Sequence, residues 1–526
     1  MSLATLLGLC LLALLVGAVV VLLILDLSQR SNAIQHNYPV VGRFRFLLSA
    51  LGPKLRQYIV AANDEERPFS RDQRHWIRAS ADRKNNYFGF GSDNDMERSP
   101  NYLILRHSSF PLPDLHPGTP GYDSSYPLPG AKVLGQSRGR QKAFRPASLV
   151  NISAMSYGSL SSTAVSAMNR GAKIAGVLHN TGEGGVAPYH LEGGDLIWQL
   201  GTGYFGCRTE SGDFSLQHLV DTVQANPTIR ALEVKLSQGA KPGVGGILPA
   251  EKITAEISRI RGIPRGKDCL SPNAHTAFSN ADELLDFVET LADATGLPVG
   301  IKSAVGELDL FHDLAREMED GQRGIDFLTV DGGEGGTGAG PLAFTDHVAL
   351  PFQLAFTRVY KIFHQAGLSD RITFIGSGKL GLPERAMLAF AIGCDMIQVA
   401  REAMLAIGCI QAQRCHQGNC PAGIATHRPW LVKGLDPQVK AHALANYFVV
   451  LRKELTRLSR ACGVAHPALL TADRLEILDD RFGSITAAEL FGYSPGMGLP
   501  SEDDAELLAA LPLSTAAESS HPASAA

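Results

Sequence analysis
Cys409, Cys415 and Cys420 stand in the stretch GCIQAQRCHQGNCPAGIATH, spaced C-x5-C-x4-C. Thiolates bind iron and zinc because sulfur is soft and loses its proton readily beside a metal. Three such ligands without a fourth suit a cluster with one vacant iron corner. Pro421 directly follows the last cysteine, as proline often does in iron–sulfur runs. The competing reading is three buried free cysteines, packed as small apolar residues.

A second set of chemically capable residues recurs in glycine-rich turns. Met155 and Ser156 lie in SAMSYGSLS, and Glu183 lies in HNTGEGG. Lys235, Gln238 and Lys241 share EVKLSQGAKPG. Asp331, Gly333 and Glu334 open DGGEGGTGAG, and Gly376 and Gly378 flank Ser377 in GSGK. Lys302 ends an apolar run and Arg401 follows one.

These turns need a frame that brings them together. Short apolar runs at 150–154, 177–180, 197–200, 232–236, 298–302, 327–330, 372–375 and 396–399 precede them. Helix-compatible stretches lie between, for example 162–175, 280–295 and 384–392. Such alternation predicts a parallel sheet with crossover helices. Eight units in about 250 residues predict an α/β fold of the TIM (β/α)8 type. An open doubly wound sheet is the alternative. It calls for G-x-G-x-x-G after its first strand, whereas the first run here leads into SYGSLS.

In a barrel the turns after the strands gather at one mouth, and the last two form the usual phosphate site. Glycine-freed N–H groups and the forked donors of Arg401 suit a phosphate there. A flavin mononucleotide fits that geometry, with its ring over the mouth and Lys302 placed to stabilise negative charge on the reduced ring.

Composition bounds the rest. The chain has 526 residues, 45% of them hydrophobic, which is ample for a large core and allows two to four domains. A formal charge of −4 gives no sign of nucleic-acid binding. The 8 cysteines are too few and scattered for a disulfide scaffold. Residues 3–25 carry no charge. At about 1.5 Å per residue they are long enough to cross a hydrocarbon core of about 30 Å. No Lys or Arg precedes them, while Arg30, Arg43, Arg45, Lys54 and Arg56 follow, with Asp26 the only acid among them. The positive-inside rule then predicts a single-pass anchor with the bulk of the chain on the cytoplasmic side. A cleaved leader is the alternative, and it would want a basic start and a shorter apolar core.

The predicted layout is an anchor (1–27), an extension wrapping the barrel (28–148) and the barrel with its cysteine segment (149–430). A helical extension (431–498) and a low-complexity, disordered tail (499–526) follow.

Five strings in this order, SAMSYGSLS, HNTGEGG, EVKLSQGAKPGVGGILP, DGGEGGTGAGPL and the cysteine segment, resemble the FMN-binding synthase domain of glutamate synthases. The resemblance covers roughly residues 150–430. It implies a flavin-bearing barrel and a 3Fe-4S cluster on Cys409, Cys415 and Cys420. It implies a reaction in which ammonia condenses with 2-oxoglutarate and the 2-iminoglutarate is reduced to glutamate. Lys235, Gln238 and Lys241 would then face the substrate carboxylates, with Glu183 at the mouth. For Lys235 the structural alternative is a lysine buried beside Glu233. Glu334 is either an acid/base residue or a loop acid that caps a backbone turn. The family's glutaminase, glycine-repeat and NADPH modules are not expected here, so the electron donor (a ferredoxin or a reductase subunit) and the nitrogen source stay open.

Two other readings compete. One is a membrane-tethered electron-transfer subunit without amination of its own. The other is an inosinate-dehydrogenase-like barrel with a nucleophilic cysteine at Cys207, Cys269 or Cys394.

Overall fold
The apolar runs form strands: β1 (Val150–Ile152), β2 (His179–Asn180), β3 (Leu196–Leu200), β4 (Ile229–Lys235), β5 (Val299–Ser303), β6 (Phe327–Asp331), β7 (Thr373–Ser377) and β8 (Met396–Val399). In the computed structural model each pairs in parallel with the next, and β8 returns to β1, closing a barrel. Every residue of these strands except Arg230 is buried. That is the condition under which an all-parallel sheet is stable, with both faces covered.

The structure describes residues 2–29, 38–55, 66–92, 94–97, 99–119 and 121–510. These form two compact units. The first contains helices Leu3–Ser28 and Val41–Leu55. The second contains the barrel.

The period-two geometry of a strand stacks the barrel interior in layers. Ala231 of β4, Phe327 of β6, Ile375 of β7 and Met396 of β8 form an apolar floor with Leu178 and Ile197. Gly300 of β5 leaves room for the Phe327 ring, which its Cβ would overlap. Two residues further along β4, Glu233 is fully buried. It accepts from Asn180 Nδ2 and Gln199 Nε2 at 2.7 Å each, and from Thr329 Oγ1 at 2.7 Å. Another two residues along, Lys235 of β4, Asp331 of β6 and Ser377 of β7 reach the C-terminal rim, with Lys302 of β5.

The floor is sealed from outside the barrel. Leu134 and Phe144 bridge each other and join the apolar floor. Lys132 pairs with Asp395 at 2.9 Å, and Arg140 pairs with Glu289 and Asp326 at 2.6 and 3.0 Å. The extension 28–148 therefore contributes core residues at its end.

Crossover helices start and stop on local signals. Ser161 Oγ accepts the Ala164 N–H to begin helix Ser162–Ala175, and Gly176 ends it at φ 65°. Helix Pro437–Ala461 packs against it closely at Gly171, where a Cβ would lie 2.8 Å from Leu444 Cδ2.

Two expectations are corrected. The stretch after 431 is helical only in part. Leu475–Leu478 is a strand between Tyr102–Leu105 and Ser484–Thr486, both antiparallel to it. Its buried and half-buried residues alternate over only four positions, too few to separate a strand from a helix turn by pattern. In the predicted tail, Glu502–Ala510 is helical, and residues 511–526 lie outside the described residues, as do Arg30 and Arg56 of the basic cluster.

Candidate functional site
At the C-terminal rim, Lys235 at the end of β4 meets the turn after β2. Its Nζ lies 2.9 Å from Glu183 and donates to Gln238 Oε1 at 2.6 Å. Lys241, buried in the same loop as Gln238, donates to Gly245 O at 3.2 Å. Burial pushes the Glu183 carboxyl up, but Lys235, Lys241 and Arg261 outweigh it and hold the group below the usual carboxylate range. Burial pushes the Lys241 ammonium down, and Lys235 adds to that while Glu183 opposes it. The corner thus holds two lysines, a buried arginine and one carboxylate. Net positive charge with little water is the setting in which a dianionic substrate gains most from charge-assisted hydrogen bonds. Glycine makes the corner possible: a Cβ on Gly246 would lie 2.9 Å from Glu183 Oε1.

Beside this corner lies a partly open cleft. Its lining includes Lys235, Gln238, Lys302, Asp331, Gln398 and Arg401. Lys302 Nζ stands 3.4 Å from Asp331 Oδ1, while Asp331 Oδ2 accepts the Gly239 N–H at 2.8 Å. At the β7–β8 end the cleft is rimmed by Gly335, Gly336, Gly378, Lys379 and Arg401. A Cβ on Gly336 would lie 2.7 Å from Arg401 Cδ. Burial, then the neighbouring Arg385 and Arg401, push the Lys379 ammonium down to about 8. Lys379 and Arg401 line this end of the cleft, with Arg385 near Lys379, which is a setting shaped for an anion. Gln398 is buried at the cleft with neither amide atom hydrogen-bonded. Such an orphaned donor and acceptor is costly unless something fills the cleft.

The cysteine segment follows β8. Burial pushes the Cys409 thiol up to about 11, although the Gln411 N–H donates to its Sγ, and the neighbouring Cys415 and Cys420 add to the rise. Burial also raises Cys415, next helped by Cys420 and opposed by Lys252. The three thiols are therefore electrostatic neighbours. All three are free, and among the described residues no His, Cys, Asp and Glu side chains converge as tightly as ligands of a single ion. Lys252, buried in the β4–β5 loop, donates to Cys415 O at 2.6 Å, and Arg78 donates to Cys409 O at 3.0 Å.

The pattern described as "Conserved region in glutamate synthase" matches residues 133–465. The chain belongs to the glutamate synthase family. The Glutamate synthase large subunit-like protein YerD of Bacillus subtilis (strain 168) is 38% identical over 472 residues, 84% of this chain and 89% of that protein. The Archaeal glutamate synthase (NADPH) of Methanocaldococcus jannaschii is 36% identical over 318 residues, 60% of this chain and 59% of that protein. The chain thus spans about three-fifths of that archaeal relative. A solved flavocytochrome b2 double mutant with pyruvate bound aligns at 14% identity and a TM-score of 0.43, covering 84% of this chain and 87% of that one. The family is one of oxidoreductases acting on CH–NH2 donors.

The residues expected around the barrel mouth fall in three places. Lys235, Gln238, Lys302, Asp331, Gly378 and Arg401 line the cleft. Glu183 and Lys241 stand behind Lys235. The others are turned to the scaffold. Met155 N–H donates to Asn180 O at 3.1 Å, and Ser156 Oγ donates to Ser159 Oγ at 3.0 Å. Gly333 N–H donates to Leu350 O at 2.9 Å. A Cβ on Gly376 would meet Cys394 and Phe352 at 2.8 Å, so its side faces the helix layer. Glu334 Oε2 accepts the Phe352 N–H at 2.8 Å, at the start of helix Phe352–Gln365.

Lys235 does not sit beside Glu233 in an ion pair; that carboxylate is held by amides and a hydroxyl. Three residues went unassigned in the sequence. Gln398 was detectable, because it follows Met396 by two on β8 and so shares its inward face. Lys379 stood in GSGK without a reason to single it out. Arg261, at the end of helix Ala255–Arg261, had no local signal; its Nη2 donates to Tyr157 O at 3.1 Å.

Proposed function
We propose that this glutamate synthase family member is a membrane-tethered reductive aminase. It binds a 2-oxo acid, with 2-oxoglutarate the default, and makes the corresponding amino acid by way of its imine. The observation that supports this most is the cationic corner Lys235–Glu183–Lys241 opening into a cleft beside Lys302.

The chemistry balances simply. Ammonia adds to the 2-oxo carbon and water leaves, giving the 2-imino acid. A hydride then adds to that carbon and a proton to the nitrogen. FMN, when bound, would supply the hydride, and a 3Fe-4S cluster held by Cys409, Cys415 and Cys420 would carry electrons from a ferredoxin or reductase partner. The chain's residues do the rest. Lys235, Gln238 and Lys241 hold the substrate carboxylates. Glu183, ionised by its lysine neighbours, keeps Lys235 aimed at the rim. Lys302 provides positive charge at the cleft floor. Lys379 and Arg401, which line the cleft, would hold the phosphate, and the buried Gln398 amide would gain partners. Three mutually close thiols beside buried Lys252 fit a cluster with three protein ligands.

Helix Leu3–Ser28 is long and apolar enough to cross a membrane. With the basic residues that follow it, it supports a single-pass anchor and a cytoplasmic barrel. The same helix favours the second reading, an electron-transfer subunit without amination. Anaerobically purified protein should be yellow-brown, with flavin absorbance and a cluster EPR signal. Given dithionite, it should form glutamate from 2-oxoglutarate and ammonia. Lys235→Met separates the readings: an aminase loses product formation but keeps flavin reduction, whereas a relay subunit forms no glutamate with or without the change.

A further inference from the structure
Helix Val41–Leu55 carries an apolar stripe that nothing in its own unit covers. Val41, Phe44, Leu48, Leu51 and Leu55 recur at 3-4-3-4 spacing and are all exposed, Val41 at 75% and Phe44 at 63%. That spacing keeps them on one face. We infer that this helix lies flat in the headgroup layer of an anionic bilayer, beside the point where Leu3–Ser28 leaves it. The inference rests on the anchor reading above.

Three observations choose this occupant. First, the helix starts at the anchor's end. Asp26 accepts from Arg43 Nη2 at 2.6 Å, from Arg43 Nε at 2.9 Å and from the Val40 N–H at 2.8 Å. That clasp ties the first turn of Val41–Leu55 to the last turn of Leu3–Ser28. Second, the 15 described residues of this helix at about 1.5 Å each reach about 22 Å, shorter than a core of about 30 Å, and they include Arg43 and Arg45, which suit a headgroup layer better than a hydrocarbon core. Third, beyond Arg43, whose charge Asp26 answers, the helix holds Arg45 and Lys54 and no acid. A second copy packed on the stripe would bring like charges together. Anionic headgroups complement them, and basic flanks around an apolar face define interfacial helices.

The test uses the full chain in vesicles that contain phosphatidylglycerol and brominated lipid. Phe44→Trp adds a reporter to the three native tryptophans, so wild type provides the background. Co-flotation with vesicles reports the anchor. Given co-flotation, the expected result is loss of the added emission to shallow bromines, with a blue shift. The loss should be smaller in pure phosphatidylcholine and in high salt, where the attraction of the basic flanks is weaker. Added emission that no bromine quenches would overturn the inference while leaving the anchor standing. So would a disulfide between two copies of Leu48→Cys, which would make the stripe a helix-pairing surface. Failure to float would remove the anchor reading and this inference with it.

Discussion

Lys379 offers the sharpest quantitative handle on the cleft. It is held near a pKa of about 8 by burial and by Arg385 and Arg401, against 10.5 for an ordinary lysine. The sign follows from the direction. The fold disfavours its charged form, so its destabilisation is fully present below about 8 and is relieved progressively as pH rises from there toward the ordinary 10.5. A phosphate dianion reverses the balance, because it favours the ammonium. At pH 7 the amine is about 90% protonated and at pH 9 about 10%, given a pKa of about 8. Binding that requires the ammonium therefore weakens about tenfold between pH 7 and 9, or about 1.4 kcal/mol.

The assay is titration of flavin-free protein with FMN, followed by quenching of flavin fluorescence, from pH 7 to pH 9. A phosphate monoester has its second pKa near 6 and stays a dianion throughout, so the ligand adds no slope of its own. Riboflavin, which lacks the phosphate, should bind with no such slope. Lys379→Met should bind FMN more weakly at pH 7 and flatten the profile. The reasoning is refuted if wild-type affinity is flat across this range, or if Lys379→Met keeps the wild-type slope.

Three further outcomes test other parts of the site. Cys415→Ser should lose cluster iron and its EPR signal while FMN binding survives, since the cleft lining does not include the cysteine segment. Lys252→Met removes a buried cation that donates to Cys415 O; an EPR-monitored redox titration should find the cluster harder to reduce, with Lys252→Arg near wild type. Glu334→Ala leaves the Phe352 N–H without its acceptor. It should cost about 1–2 kcal/mol of stability, read as a lower thermal midpoint; a collapse of turnover at unchanged midpoint would make Glu334 an acid/base residue instead.

What the sequence made legible was whatever is constrained locally. Eight apolar runs announced the barrel because a strand buried on both faces has no polar alternation to blur it. Helix 162–175 was readable to the residue, because Ser161 and Gly176 mark its ends chemically. EVKLSQGAKPG put three site residues in one string. Pairings across distance were not legible. Lys235 faces Glu183, not the Glu233 two places back, because residues two apart on a strand share the inward face but lie about 6.6 Å apart along it, which leaves Glu233 in the layer below the rim. Lys252 meets a carbonyl 163 residues later, and no spacing rule predicts that.

The β4–β5 loop joins an expected residue, Lys241, to two unexpected ones. Within it, Lys241 adds charge at the Glu183 corner, Lys252 supports the cysteine segment, and Arg261 holds the turn after β1 through Tyr157 O. Between β4 and helix Ala281–Thr295 its regular elements are short: the turn of helix Ala250–Lys252, helix Ala255–Arg261 and the strand pair Ile247–Leu248 with Cys269–Leu270. One segment therefore touches the Glu183 corner, the cysteine segment and the rim at once. A change that displaces it should disturb all three together, whereas a change confined to Lys379 should disturb the anion end alone.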